Sequence, residues 1–296
     1  MSEILKQSTN KVTIVGKLLD ISFATGKTKD GKPYERANMT VRVTQTYGGR
    51  TETSDIPVSS FATQFTKTGA ANPAYNSIQE LKTLKTAQNV GIDNADTVCM
   101  TSAALGENSY PTKAGKMVTN WQVTSSFFSN RKVEDTATFS VDMFIMDMHD
   151  EVDTEGDTTG RLIVKGGIVQ YGGALDVVEF VVEMPECVEH ISRYWQVNHT
   201  VNAKGRIRYT SVEEAKAVSE TSWGEEVPTT STKMVRELVI MTGDDESRGE
   251  DDENAYSPVE IKKAFNARKA KLEQKLAEYT AKNSPSSSKS AGNGWE

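Results

Sequence analysis

Cysteine is scarce in this chain. Cys99 and Cys187 stand alone among 296 residues, without a CxxC spacing, which argues against a zinc site and fits a reducing compartment. Histidine is almost as rare: His149, His190 and His199 have no metal-ligand spacing and read as ordinary loop or helix residues. Long apolar runs are missing too. A stretch such as "DVVEFVVEM" is interrupted by carboxylates and falls far short of the roughly 20 residues that a spanning helix needs. The opening "MSEILKQSTNKV" has an acid and too few apolar residues for a signal peptide, so the chain is expected in the cytoplasm. There is no GxxxxGK[ST] phosphate loop and no HExxH pair, and no cofactor is implied.

What is present is the balance of a soluble globular protein, 36% hydrophobic and 25% charged, with enough length for two domains that each bury a core. The net charge of −7 hides an uneven distribution. Residues 1–50 carry nine Lys or Arg against four Asp or Glu, whereas residues 151–200 carry three against nine. A local field, not the total, decides whether a polyanion docks, so the N-terminal region is the candidate surface for one. Within it, "GKTKDGKPYERANMTVRV" at 26–43 gathers Lys27, Lys29, Lys32, Arg36 and Arg42, with Lys17 upstream on the preceding strand and Arg50 just after.

Strand signals dominate. Val12, Ile14, Val15, Leu18, Leu19 and Ile21 mark a first strand over 10–23, with Gly16 as a bulge or bend. The Gly- and Lys-rich loop that follows ends at Pro33, and a second strand begins at Tyr34. Its alternation puts Ala37, Met39, Val41 and Val43 on one side and Tyr34, Arg36, Asn38, Thr40 and Arg42 on the other. That second side is either a solvated sheet face or a binding bed, and alternation alone does not choose. A third strand fits 50–61, a helix 72–87 with Asn72 as cap and Pro73 in its first turn, and two more strands 97–105 and 117–129. Five strands with a helix between the third and fourth is the order of an OB barrel, whose strand 2–3 surface and flanking loops take up extended nucleic acid.

The blocks "NKVTIVGKLLD", "YERANMTVRV", "TETSDIPVSSF" and "ALGENSYPTKAGKMVTNWQVT", with the basic loop between the first two, resemble the successive blocks of bacterial and phage single-stranded DNA-binding proteins over residues 10–130. The resemblance implies an OB fold that holds single strands through basic and aromatic side chains. It carries Lys17 in the first block, Tyr34, Arg36, Asn38 and Arg42 in the second, and Phe61 at the end of "IPVSSF". Two departures stand out: a longer insertion around "TGAANPAYN", and a large second half where the bacterial proteins have only a flexible tail. The resemblance also implies a part in replication, recombination or repair; the two-barrel layout suggests a phage protein, acting in the host cytoplasm.

Among aromatic residues Tyr34 is the best stacking candidate. Trp121 belongs either to the binding set or to the core, because Met117, Thr119, Val123 and Phe127 around it are largely apolar. Tyr110, Lys113 and Lys116 fall in the loop between the fourth and fifth strands, which OB proteins use to close over a ligand.

The strand pattern restarts after "SNRKVED". "ATFSVDMFIMDMHDE", "RLIVKGGIVQY" and "ALDVVEFVVEM", a short helix from Pro185, then "NHTVNAKGRIRYT" and "KMVRELVIMTG" repeat the order, so the expected fold is mainly β: an OB barrel over 10–133 and a second over 136–243. Lys165, Tyr171, Lys204, Arg206, Arg208 and Tyr209 are candidates for an extension of the binding path; packing or protein contact is the competing role of this acidic half. An acidic linker is expected at 244–254, a helix at 257–282 opened by Ser257, Pro258 and Glu260, and a disordered tail at 283–296. Its end, Trp295 then Glu296, loosely resembles the partner-docking tails of the same proteins and is a candidate dock for replication or recombination proteins. Two rival functions remain: a protein-assembly module on the same fold, and a nuclease that holds magnesium on pairs such as Asp147/Asp150 or Glu151/Asp153, against which such acids are more often simply solvated.

Overall fold

Period-two alternation of apolar residues builds ten strands, and their pairing closes two barrels of one topology. The computed structural model describes residues 5–130, 133–215 and 230–283. In the first barrel, β1 (Asn10–Lys27), β2 (Pro33–Tyr47), β3 (Arg50–Thr63), β4 (Thr97–Pro111) and β5 (Met117–Thr124) pair in the order β1–β2–β3–β5–β4 and back to β1. All these pairings are antiparallel except β3–β5. Helical segments α1 (Pro73–Glu80) and α2 (Ala87–Val90) lie between β3 and β4. The second barrel repeats the scheme with β6 (Thr136–Val152), β7 (Thr158–Val169), β8 (Leu175–Val182), α3 (Pro185–Tyr194), β9 (Thr200–Ala215) and β10 (Thr230–Gly243), closed by β6–β9. Two tandem OB barrels followed by a C-terminal helix, α4 (Pro258–Asn283), is therefore the fold.

Several expected elements differ. The fourth strand, expected to end at Leu105, runs on to Pro111 and so takes in Tyr110. The helix expected over 72–87 is broken after a 3₁₀ turn at Leu81–Thr83, because Leu84 is extended (ψ 146°); Asn72 does cap the first turn, its side chain accepting from the Ala74 N–H at 3.1 Å. The strand expected to reach Ser129 ends at Thr124, where the Ser125 N–H turns to the Ser59 carbonyl.

β1 has two sets of neighbours. Its second half, from Lys17 to Lys27, pairs with β2, whereas its first half lies between β4 and β6, with Asn10 to Val15 opposite Val141 to Thr136. The switch falls at Gly16, where a Cβ would sit 2.1 Å from the Arg42 carbonyl oxygen, so only glycine fits. Because β1 and β6 lie side by side, Val12 and Ile14 join Phe139 and Val141 in one continuous core that runs through both barrels.

Hairpins cross between the barrels. The Arg206 guanidinium lies 4.7 Å over the Tyr47 ring, bonds to Glu52 of β3, and reaches Glu183 at 2.6 Å. Arg208 bonds to Glu52, Glu183 and Glu237 at 2.8–2.9 Å. Burial pushes the Glu183 carboxyl up, but its bonds to the two arginines outweigh that and hold it below its ordinary 4.5. Arg206 and Arg208, expected on a binding path, are thus 8% and 14% exposed and committed to carboxylates between the barrels.

The segment expected as a linker is bonded along β9: Arg248 exchanges both backbone hydrogen bonds with Thr200, and the Asp244 carboxylate accepts from the Asn202 N–H at 2.8 Å. It leads into α4, whose Ile261 and Phe265 pack with Tyr256 on Phe144, Val169 and Leu175. Further along, Arg268 of α4 bonds to Glu107 of β4 at 2.6 Å, so the helix touches both barrels.

Removing Arg206 leaves Glu52 and Glu183 with Arg208 as their shared cation and strips each of a charged hydrogen-bond donor, so Arg206→Met is expected to cost about 1–3 kcal/mol in denaturant unfolding. The depressed Glu183 value stabilises the fold fully above the unfolded carboxyl's range and loses that contribution as pH falls through the folded one. Between neutral and acid pH, the Glu183→Gln variant is therefore expected to lose less unfolding free energy than the parent chain.

Candidate nucleic-acid interface

The outer side of β1–β2–β3 is where the sequence placed its polar and aromatic row, and the register sets that row out rung by rung. Gly26, Tyr34 and Thr63 lie across one rung; Ala24, Arg36 and Phe61 across the next; then Ser22, Asn38 and Ser59; then the exposed Asp20 with Thr40 and Pro57; and, after the β1 bulge, Lys17, Arg42 and Asp55. The intervening residues of β2 point inward, and Ala37, Met39, Val41 and Val43 are buried. Glu35 shares that inner side at 1% exposure and is met by Lys82 at 2.5 Å and by Gln79, which ties the helical segment to β2.

Tyr34 lies across Gly26, where a Cβ would come within 2.7 Å of the Tyr34 hydroxyl. Its ring is tilted 40° against Phe61 with centroids 5.1 Å apart, and Phe61 stays 48% exposed. Arg36 stands beside this pair, exposed and without an ion-pair partner among the described residues. Lys27, Lys29 and Lys32 sit in and around the β1–β2 loop at the same end; Lys27 and Lys29 are exposed and Lys32 half-buried. Asn38, exposed, accepts from the Ser59 hydroxyl at 2.8 Å through its side-chain oxygen.

Other expected residues are differently engaged. Arg42 makes two 2.7 Å bonds to the Asp55 carboxylate, which raise its pKa and neutralise its charge locally. The Lys17 ammonium donates to the Ala95 carbonyl at 2.8 Å. Arg50 is exposed at the start of β3, beside the β2–β3 turn and at the opposite end of the strands from the lysine loop.

Trp121 is not on this face. It is half-buried between the barrels, edge-on to Tyr209 at 6.0 Å, because the β4–β5 hairpin runs past the first barrel and leans on the second. Glu107 of that hairpin accepts from the Val177 N–H, and Asp176 accepts from the Glu107 N–H at 3.0 Å; burial pushes the Asp176 carboxyl up. Tyr110, Lys113 and Lys116 at the hairpin's end therefore go with the second barrel and α4 instead of closing over β2–β3.

The candidate extension on the second barrel is not assembled either. Lys165 pairs with Glu179 at 3.6 Å, Tyr171 is 84% exposed in the β7–β8 turn, Lys204 is exposed on β9, and Arg206, Arg208 and Tyr209 serve the inter-barrel contact. The β7–β8 face, the counterpart of β2–β3, looks into a cleft of about 520 Å3 walled by Trp121 and Phe265. Trp295 lies outside the described residues.

Sequence reasoning missed Phe65. Just past β3 the Gln64 N–H still donates to the Pro33 carbonyl; the chain then bends, and Phe65, bridged to Ala71, is 43% exposed. The sequence signal is the second ring of "FATQF", four residues after Phe61 and ahead of the insertion around "TGAANPAYN". Phe127, 55% exposed, follows β5 where the chain is bonded to Ser59.

With this geometry in place, the comparisons can be set beside it. The YorF family model matches residues 8–278, across both barrels and most of α4. The chain belongs to the YorF family. Membership thus spans both halves, whereas the blocks that resemble bacterial and phage single-stranded DNA-binding proteins span only the first. No curated protein matches the sequence. Two crystal structures of the single-stranded DNA binding protein from Thermus aquaticus are similar to this YorF-family chain, each at 11% identity: a deletion mutant covers 85% of this chain and 98% of its own at a TM-score of 0.49, and the wild type 82% and 96% at 0.48. Likeness at that level does not bear on what this chain binds.

Proposed function

We propose that this YorF-family chain binds single-stranded DNA without sequence preference, on the outer face of β1–β2–β3, and does no chemistry on it. The observation that carries the reading is the half-buried Tyr34 ring against the exposed Phe61, beside an Arg36 that has no ion-pair partner among the described residues and beside the lysine loop. Every base has a π face that stacks on an aromatic ring, and every phosphate accepts a cation, so these two contacts tolerate any sequence. A duplex hides its base faces, which favours unpaired strands. The working context is replication, recombination or repair, where such strands appear. Phe65, just beyond the end of β3, adds a further exposed ring near this set.

Among the described residues no three His, Cys, Asp or Glu side chains are grouped to hold a metal ion, and no described helix is long and apolar enough to cross a membrane.

Oligo-dT binding followed by fluorescence anisotropy across a salt titration tests the proposal. Tyr34→Ala and Phe61→Ala are each expected to cost about 1–3 kcal/mol of affinity. Arg36→Gln is expected to make the salt slope shallower by about 0.7, the loss of one phosphate contact on a single strand, while Arg42→Gln leaves it unchanged because Asp55 already holds that cation. Charge reversal at Lys27, Lys29 and Lys32 together weakens binding and flattens its salt dependence. Affinity in the Tyr34 and Phe61 variants equal to the parent's overturns the placement, and cleavage of the strand in magnesium overturns the non-enzymatic reading.

A further inference from the structure

α4 carries seven Lys or Arg against three Glu in a chain of net charge −7, and its place in the fold gives that excess a direction. The helix runs alongside β4 in the same sense: Arg268 bonds to Glu107, and two turns later the Lys275 ammonium bonds to the Ser109 carbonyl. Helical spacing puts Lys271 and Lys282 on that same flank. At 1.5 Å per residue, Lys282 lies about 10 Å beyond Lys275 along the axis, toward the hairpin tip that carries Lys113 and Lys116.

Most of these cations are free. Arg268 is spent on Glu107 and Lys275 on a carbonyl, but Lys113, Lys116, Lys271 and Lys282 are exposed and pair with no carboxylate among the described residues. Glu278 is the acid on this flank and accepts from Gln274, while Glu273 projects from the opposite side of the helix. Two tyrosines border the set: Tyr110, 44% exposed near the hairpin tip, and Tyr171, 84% exposed in the β7–β8 turn whose Gly173 lies against α4.

We propose that the cationic flank of α4, together with the β4–β5 hairpin tip, is a second contact track for the same single strand, engaged when the strand is longer than the β1–β2–β3 face can hold. The inference rests on the reading of that face as the single-strand site. Free lysines spread over two elements, with exposed rings beside them, suit a flexible phosphate chain: each phosphate contact is additive and needs no fixed ligand geometry. The track also gives the hairpin a role compatible with its displacement from β2–β3.

The test compares the parent chain with a combined variant, Lys113→Gln, Lys116→Gln, Lys271→Gln and Lys282→Gln, whose changes are all at exposed positions. Two oligo-dT strands are used: one of about 8 nucleotides, within the span of one OB face, and one several times longer. The variant is expected to bind the short strand as the parent does. On the long strand it is expected to lose about tenfold in affinity, with a salt slope shallower by about 3, four phosphates at roughly 0.7 each. An unchanged long-strand slope overturns the track, as does an equal loss on both strands, which would place these lysines at the first face. Should the parent retain neither strand, the single-strand reading itself falls and the track with it; a parent that binds both strands while the variant matches it sinks the track alone.

Discussion

Lateral pairing of β1 with β6, from Asn10 opposite Val141 to Val15 opposite Thr136, is the constraint on which the rest of the architecture depends. Backbone hydrogen bonds along two strands that each belong to a closed barrel leave the barrels little freedom to rotate, and the apolar residues on those strands merge two cores into one. Once the barrels are fixed side by side, the long hairpins of each must land on the other. The β2–β3 hairpin then meets β9, and the β4–β5 hairpin meets β8 and α4.

That arrangement divides two topologically equivalent barrels. In the first, the outer face of strands one to three looks outward, with Phe61 and Arg36 exposed and Tyr34 half-buried between Gly26 and Phe61. In the second, the equivalent face looks into the inter-barrel cleft, and its neighbouring cations are matched with carboxylates: Arg161 with Glu151 and Glu237, Lys165 with Glu179, Arg208 with Glu183. Charge paired inside a low-dielectric contact is not available to a phosphate without first losing its partner. The acidic composition of the second half is in part the complement of those arginines.

Much of the fold was legible because alternation and turn chemistry are local. "YERANMTVRV" assigns its two faces without knowledge of any other strand, and the order of strands and helices in each half is enough to name the barrel. What failed were inferences that needed a partner. Arg206 reads in sequence either as an extension of the binding path or as a packing residue, and only the position of Glu52, 154 residues away, decides between them. Trp121 was ambiguous for the same reason, since its edge-on contact is Tyr209 of the other barrel. Phe65 escaped because it lies past the residues that read as strand, where the chain bends.

By itself, the sequence determined that the chain is mainly β, that two similar five-stranded units follow one another, and that an aromatic and cationic row lies on one side of the second strand. These follow from period-two geometry and from residue preferences in turns, both set by near neighbours. Tertiary structure alone decided which of the cations remain free, which barrel keeps an open face, and where the β4–β5 hairpin and α4 come to rest. Those outcomes depend on pairing between residues far apart in the chain, and no local pattern encodes the partner.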